Sequence, residues 1–375
     1  MTSDLYQRLA KHLDSLPGGY PATESGVELR ILRRLFTPEE AALALHLALI
    51  PEDARVIGHR AGLSSGEAAT MLQAMERKGL LYSDHSNPDA PKYYAMQFAV
   101  GIFEFQVGKI DAELAKDLAE YLPVALNTDD WQKVPQLRTV PIGASIDPGL
   151  AVMPYERAID LMSSQTTFGV APCVCRQKAE IAGHACDKPS ETCLTAGSSA
   201  EFYIRNGLAR EISKEEALAL LEQAEATGLI LQPGNARNAE FMCMCCGCCC
   251  AALTTIKQRP DPASIVSTPF RASVDWDRCD GCGTCLERCQ MDAISFDTGV
   301  AEIIEQRCIG CGLCVSTCPQ EAVHLERKPA AEQSYVPHSF METLFWLGRA
   351  RGKLGVGDIV KIGVRSAVDR LVAPR

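Results

Sequence analysis

Cys279-Asp-Gly-Cys282-Gly-Thr-Cys285-Leu-Glu-Arg-Cys289 returns 29 residues later as Cys308-Ile-Gly-Cys311-Gly-Leu-Cys314-Val-Ser-Thr-Cys318, followed by Pro319. A 4Fe-4S cubane needs four thiolates around one site. Three cysteines at this spacing wrap it with a short loop, and the fourth comes from elsewhere in the chain. The segments after each motif, Gln290-Met-Asp-Ala-Ile-Ser-Phe and Pro319-Gln-Glu-Ala-Val-His-Leu, also match in pattern, so the region reads as a tandem duplication. Gly281, Gly283, Gly310 and Gly312 stand between the cysteines, where the backbone must come close to inorganic sulfide and adopt positive φ. Zinc is the competing reading. Structural zinc sites usually join two C-x-x-C pairs across a longer gap, so the spacing favours two cubanes.

Over residues 270–328 the pattern resembles the bacterial-type two-cluster ferredoxins. In that family the fourth ligand of each cluster comes from the other motif. The resemblance therefore implies one cluster on Cys279, Cys282, Cys285 and Cys318, and a second on Cys308, Cys311, Cys314 and Cys289. It also implies a ferredoxin-like βαββαβ domain spanning 269–328. Gln290 departs from the family pattern by replacing the usual proline, which affects the turn after Cys289 and leaves the ligand count intact.

The remainder of the 375-residue chain is long enough for further domains, each with its own core. Its 47% hydrophobic and 22% charged residues are ordinary for a globular protein. The opening Met-Thr-Ser-Asp-Leu-Tyr-Gln-Arg-Leu has no apolar core or small-residue cleavage site, so a cytoplasmic location is expected. The longest apolar run, Ala41 to Ile50, is ten residues and far short of a bilayer span. Eighteen cysteines in such a chain read as reduced metal ligands rather than disulfides, and so thiol-rich a protein suits a low-oxygen cell.

After a helical arm at 1–27, residues 28–110 read as short helices followed by a hairpin. Thr37-Pro-Glu-Glu40 and Ser64-Ser-Gly-Glu67 are capping signatures, a short helix is expected between Asp53 and Gly62, and Gly79 ends the helix begun at Ser64. Leu80-Leu-Tyr and Tyr93-Tyr-Ala-Met would form the hairpin. The order resembles a winged helix-turn-helix domain, which implies that Ser64 to Lys78 is the reading helix. DNA-reading helices present basic or amide side chains near their N-terminal end. This helix has no basic residue before Arg77, residues 28–92 carry eight basic against nine acidic side chains, and the chain has a formal charge of −10. Nucleic acid is therefore disfavoured, and a packing or protein-docking role is preferred.

Residues 111–268 read as a helix-rich linker and an irregular cysteine-rich block. Its ten cysteines fall into Cys173, Cys175, Cys186 and Cys193, in a loop-like stretch, and Cys243, Cys245, Cys246, Cys248, Cys249 and Cys250. A helix from Ser213 to Gly228 separates the two groups, which are free to meet in space. Six thiols in eight residues are poorly explained by packing and are liable to oxidation without a metal. One or two additional 4Fe-4S clusters are expected here, with zinc as the alternative and not every cysteine needed. Arg176 could offset thiolate charge, and His184 is a further candidate ligand. The block resembles segments found beside ferredoxin domains in proteins of anaerobic bacteria.

The tail, 329–375, reads as a basic amphipathic helix, its residues 338–375 carrying Arg349, Arg351, Lys353, Lys361, Arg365, Arg370 and Arg375 against Glu342, Asp358 and Asp369. It could pack on its own domain, dock an acidic partner or lie on a membrane surface. Together these readings describe an α+β multidomain protein that carries electrons between redox partner proteins. Two alternatives stay open. One is an oxidoreductase, or a subunit of one, with a catalytic metal site in the middle block; against it, no dinucleotide, phosphate-loop or H-E-x-x-H motif is present. The other, ranked below it, is a redox-sensing winged-helix regulator.

Overall fold

A computed structural model of the chain describes residues 4–374; Met1 to Ser3, at the start of the expected N-terminal arm, and Arg375 of the basic tail lie outside the described residues. The chain divides into two compact units, Met1–Asp130 with Leu344–Arg375, and Trp131–Thr343. Both mix helix with small sheets, as an α+β chain should.

In the first unit the capping signatures form as their chemistry dictates. The Thr37 hydroxyl accepts from the Glu40 amide while the Glu40 carboxylate accepts from the Thr37 amide, and helix Pro38–Ala44 follows. Ser64 and Glu67 repeat the exchange at the start of helix Ser65–Lys78, which stops at Gly79 with φ 78°. Between them Asp53 caps helix Ala54–Ala61, closed by Gly62 with φ 71°. A three-stranded antiparallel sheet places Lys92–Tyr94 between Glu52–Asp53 and Tyr82–Asp84. Helices Leu5–Ser15, Val27–Leu35 and Ala112–Ala125 complete the core through Leu9, Leu13, Ile31, Leu32, Leu118 and Tyr121.

The C-terminal segment is two helices rather than one, Phe340–Ala350 and Val356–Val372. Gly352, at φ 65°, turns the chain between them. Buried Arg60 pairs with Glu52 and with Asp369 at 2.6 Å, and the Ser366 hydroxyl donates to Glu52 at 2.6 Å. These bonds dock the last helix on its own unit, while Val360, Val364, Val368 and Leu371 remain exposed.

The second unit corrects the expectation of an irregular middle block. A five-stranded antiparallel sheet runs Arg210–Ile212, Phe168–Pro172, Glu191–Ala196, Phe241–Cys245, Ile230–Pro233. Cys193, read as a loop residue, lies on a central strand. The strands are short, and cysteines occupy positions where β-branched residues would have announced them, so the period-two pattern is faint in sequence. Val170, Leu194, Leu231, Met242 and Met244 are buried, as are Leu220 and Leu221 of helix Lys214–Thr227.

In the duplicated region Phe270–Val274 pairs antiparallel with Val323–Arg327, and Ile294–Ser295 pairs with Glu302–Ile303. The first half contains helix Thr284–Arg288. Its counterpart at residues 313–317 is a turn, so the expected βαββαβ order is incomplete in its second half. No helix among the described residues is long and apolar enough to cross a membrane.

Candidate metal centres

The fold draws the two cysteine motifs across one another. One cavity is lined by Cys279, Cys282 and Cys285 together with Cys318. A second is lined by Cys308, Cys311 and Cys314 together with Cys289. Each therefore takes three thiols from one motif and one from the other. Both have a largely apolar wall, with Phe296, Ala322 and Val323 around the first and Ala272, Ile294, Ile303 and Leu313 around the second.

Backbone amides point at the sulfurs with the symmetry of the duplication. Ala293 N–H donates to Cys289 Sγ at 3.3 Å, and Ala322 N–H to Cys318 Sγ at 3.2 Å. Ala272 N–H donates to Cys308 Sγ at 3.3 Å, and Ala301 N–H to Cys279 Sγ at 3.4 Å. Donors aimed at sulfur stabilise the anionic thiolate. The loops reach this geometry through Gly281, Gly283, Gly310 and Gly312, at φ 74°, 79°, 64° and 77°. Asp292 and Glu321, equivalent positions after each fourth cysteine, share φ values of 52° and 46°. Burial pushes the thiols of Cys285, Cys308 and Cys314 up, and Cys311 up to about 12, so uncomplexed thiols would hold their protons. A metal must displace those protons, which makes loading favour higher pH.

In the middle block the spatial grouping of cysteines differs from the grouping in sequence. Cys186 leaves its sequence neighbours and joins Cys246, Cys248 and Cys249, all four sulfurs lying within 4.8 Å of one another. The other six form a chain of contacts in which Cys173 meets Cys175, Cys175 meets Cys250, Cys250 meets Cys245, Cys245 meets Cys243, and Cys243 meets Cys193. Strand geometry explains the division. Cys243 and Cys245 share one face of their strand, and Cys193 is the direct cross-strand partner of Cys243. Cys173 and Cys250 each cap a helix, Val174–Ile181 and Ala251–Lys257, which brings both to this chain of thiols.

Arg176 is buried between the two sets. Its guanidinium donates to the Pro189 carbonyl at 3.0 Å, to the Met244 carbonyl at 2.9 Å and to the Thr192 hydroxyl. It pairs with no carboxylate among the described residues, and the charges facing it are the thiols of Cys173, Cys246 and Cys245. Burial pushes the Cys246 thiol up, but Arg176 and hydrogen bonds from neighbouring cysteines outweigh it and bring Cys246 down to about 7. The sequence named Arg176 as a charge partner, and the fold brings it there. His184 differs: its backbone carbonyl, rather than its ring, lies against Cys249 Sγ at 3.9 Å.

Sequence reasoning missed the junction between the block and the duplicated region. The Gln290 side-chain carbonyl accepts from the Gly247 amide at 2.8 Å. A Cβ on Gly247 would stand 2.4 Å from the Gln290 backbone carbonyl, so only glycine permits this approach. The missing proline at 290 was the available signal, because proline has no side-chain acceptor to offer.

A family described as a 4Fe-4S dicluster domain matches residues 272–325, and this part of the chain is an iron-sulfur domain. No curated protein and no solved structure matches the chain.

Proposed function

We propose that this protein carries electrons through two 4Fe-4S clusters, one held by Cys279, Cys282, Cys285 and Cys318 and the other by Cys308, Cys311, Cys314 and Cys289. The observation that carries this reading is the pair of cavities, each lined by three thiols of one motif and the fourth of the other. Bound there, each cluster supplies a one-electron couple. The chain contributes anionic sulfur ligands, amide donors that bias the couple toward the reduced form, and apolar walls that keep water away. Cys282 is exposed, whereas Cys285 and Cys308 are buried, so the Cys282 side offers electrons the shorter path to a partner. The exposed Asp280 carboxylate accepts from the Cys282 amide at 3.1 Å, which suits a partner with a basic group there.

The ten middle cysteines extend this metal chemistry, and buried Arg176, facing thiols instead of a carboxylate, is placed to offset thiolate charge at Cys246. The first unit serves as a winged-helix-like docking module in this reading. Its helix Ser65–Lys78 begins with exposed Ser65, Gly66 and Glu67, a surface unsuited to a phosphate backbone. The exposed apolar side chains of helix Val356–Val372, flanked by exposed Lys361 and Arg365, keep contact with a partner or membrane surface among its roles.

The test is an anaerobic reductive titration followed by electron paramagnetic resonance (EPR). The duplicated region should take up about two electrons, one per cluster, with spectra of two interacting reduced centres. Turnover of an isolated substrate at the middle block would favour the oxidoreductase reading, and sequence-selective DNA binding would favour the regulator.

A further inference from the structure

Four thiolates around a single ion stand closer together than four around a cubane, because a cubane places a tetrahedron of iron atoms between them. With metal-sulfur bonds of about 2.3 Å, tetrahedral geometry sets the sulfurs of a one-ion site roughly 3.8 Å apart. Cys186, Cys246, Cys248 and Cys249 fit that smaller figure. All their sulfurs lie within 4.8 Å of one another, and Cys248 and Cys249 are 3.6 Å apart. Among the described residues the cysteines of the duplicated region form no set this tight, being spread around two cavities instead.

Placement and charge agree with a one-ion site. Three of the four thiols come from the turn after strand Phe241–Cys245, and Cys186 comes from the loop before strand Glu191–Ala196. A bond to one ion would therefore staple two chain segments that are far apart in sequence. A divalent ion with four thiolates carries a surplus negative charge, and Arg176 beside Cys246 supplies a buried positive charge that no carboxylate among the described residues neutralises.

We propose that Cys186, Cys246, Cys248 and Cys249 bind a single tetrahedral ion, zinc or iron, and not an additional cubane. This rests on the reading that the middle block ligates metal. Four thiolates complete the coordination shell and leave no position for a substrate, so this site is a structural staple if it holds zinc and a one-electron centre if it holds iron.

The experiment uses the full chain purified without oxygen, with zinc, iron and acid-labile sulfide counted per chain. X-ray absorption is recorded at both metal edges, together with Mössbauer spectra. The expected result is one zinc with four sulfur neighbours at about 2.3 Å and no metal neighbour, or one tetrathiolate iron in excess of the sulfide count. Cys186→Ser and, at the exposed ligand, Cys248→Ser should each lose one ion while leaving sulfide unchanged. Loss of about four iron and four sulfide in either variant would mean a cubane and overturn the proposal. So would unchanged metal and sulfide in both, or wild-type absorption and Mössbauer spectra lacking any sulfur-only single ion. Failure of the electron-carrier reading looks different: wild-type protein would lack the iron and sulfide of the duplicated region.

Discussion

At the scale of single residues, the four loop glycines face unequal constraints. Gly283 has φ 79° and open space where a Cβ would project, so Gly283→Ala meets only the backbone cost of about 1–2 kcal/mol. Gly310 has φ 64° and would set its Cβ 2.3 Å from the Phe270 carbonyl, a backbone atom that cannot rotate away. Gly283→Ala should keep its full iron content and melt a few degrees lower, whereas Gly310→Ala should lose about half the iron of the duplicated region. Iron assay and anaerobic thermal denaturation separate the two. Arg176→Ala should destabilise the loaded protein by about 3 kcal/mol, because it leaves buried thiolates without their counter-charge, and Arg176→Lys should recover part of that. Anaerobic denaturant unfolding reads both. The need for glycine at these loop positions was legible from the motif, since cluster loops demand positive φ there. That Gly310 matters more than Gly283 was not, because the difference depends on a carbonyl forty residues away in sequence.

Among secondary-structure elements, helix Leu5–Ser15 and the turn after helix Pro38–Ala44 carry a pH response through His12 and His46. His12 is held below its ordinary value by burial, and His46 likewise by burial and by the charges of Arg60, Arg365 and Arg8. Well above pH 6.5 both states are neutral and neither ring affects the pH dependence of stability. As pH falls through 6.5 the unfolded chain binds protons that the folded chain resists, so stability drops toward the lower folded values. Unfolding midpoints between pH 7.5 and 5.5 should therefore fall, and His12→Gln should flatten the decline. The capped helices of this unit were read from sequence because Thr37, Ser64 and Gly79 act within one turn. The five-stranded sheet was not, since its order depends on pairings between distant strands such as Cys193 with Cys243. The same limit hid the regrouping in which Cys186 joins Cys246, Cys248 and Cys249 while Cys243, Cys245 and Cys250 join Cys173, Cys175 and Cys193. At the junction of block and repeat, Gln290→Ala should cost about 1 kcal/mol with all iron retained, whereas Gly247→Ala, blocked by a backbone carbonyl, should cost more.

For the whole molecule, the two cysteine motifs disclosed the chemistry of the chain before any fold was known, because cubane ligation is written in local spacing. The partition of the remaining ten thiols needed three dimensions. The exposed Asp280 carboxylate beside Cys282 predicts that electron exchange with a small cationic mediator slows as ionic strength rises, and stopped-flow rates between low and physiological salt would measure this. Beneath every such expectation lies the claim that the duplicated region holds two 4Fe-4S clusters. The most direct test is iron and acid-labile sulfide per chain in oxygen-free protein, with EPR of the reduced sample. The account predicts at least about eight of each and the signals of two coupled reduced cubanes. Colourless protein with zinc alone on those eight cysteines would contradict it.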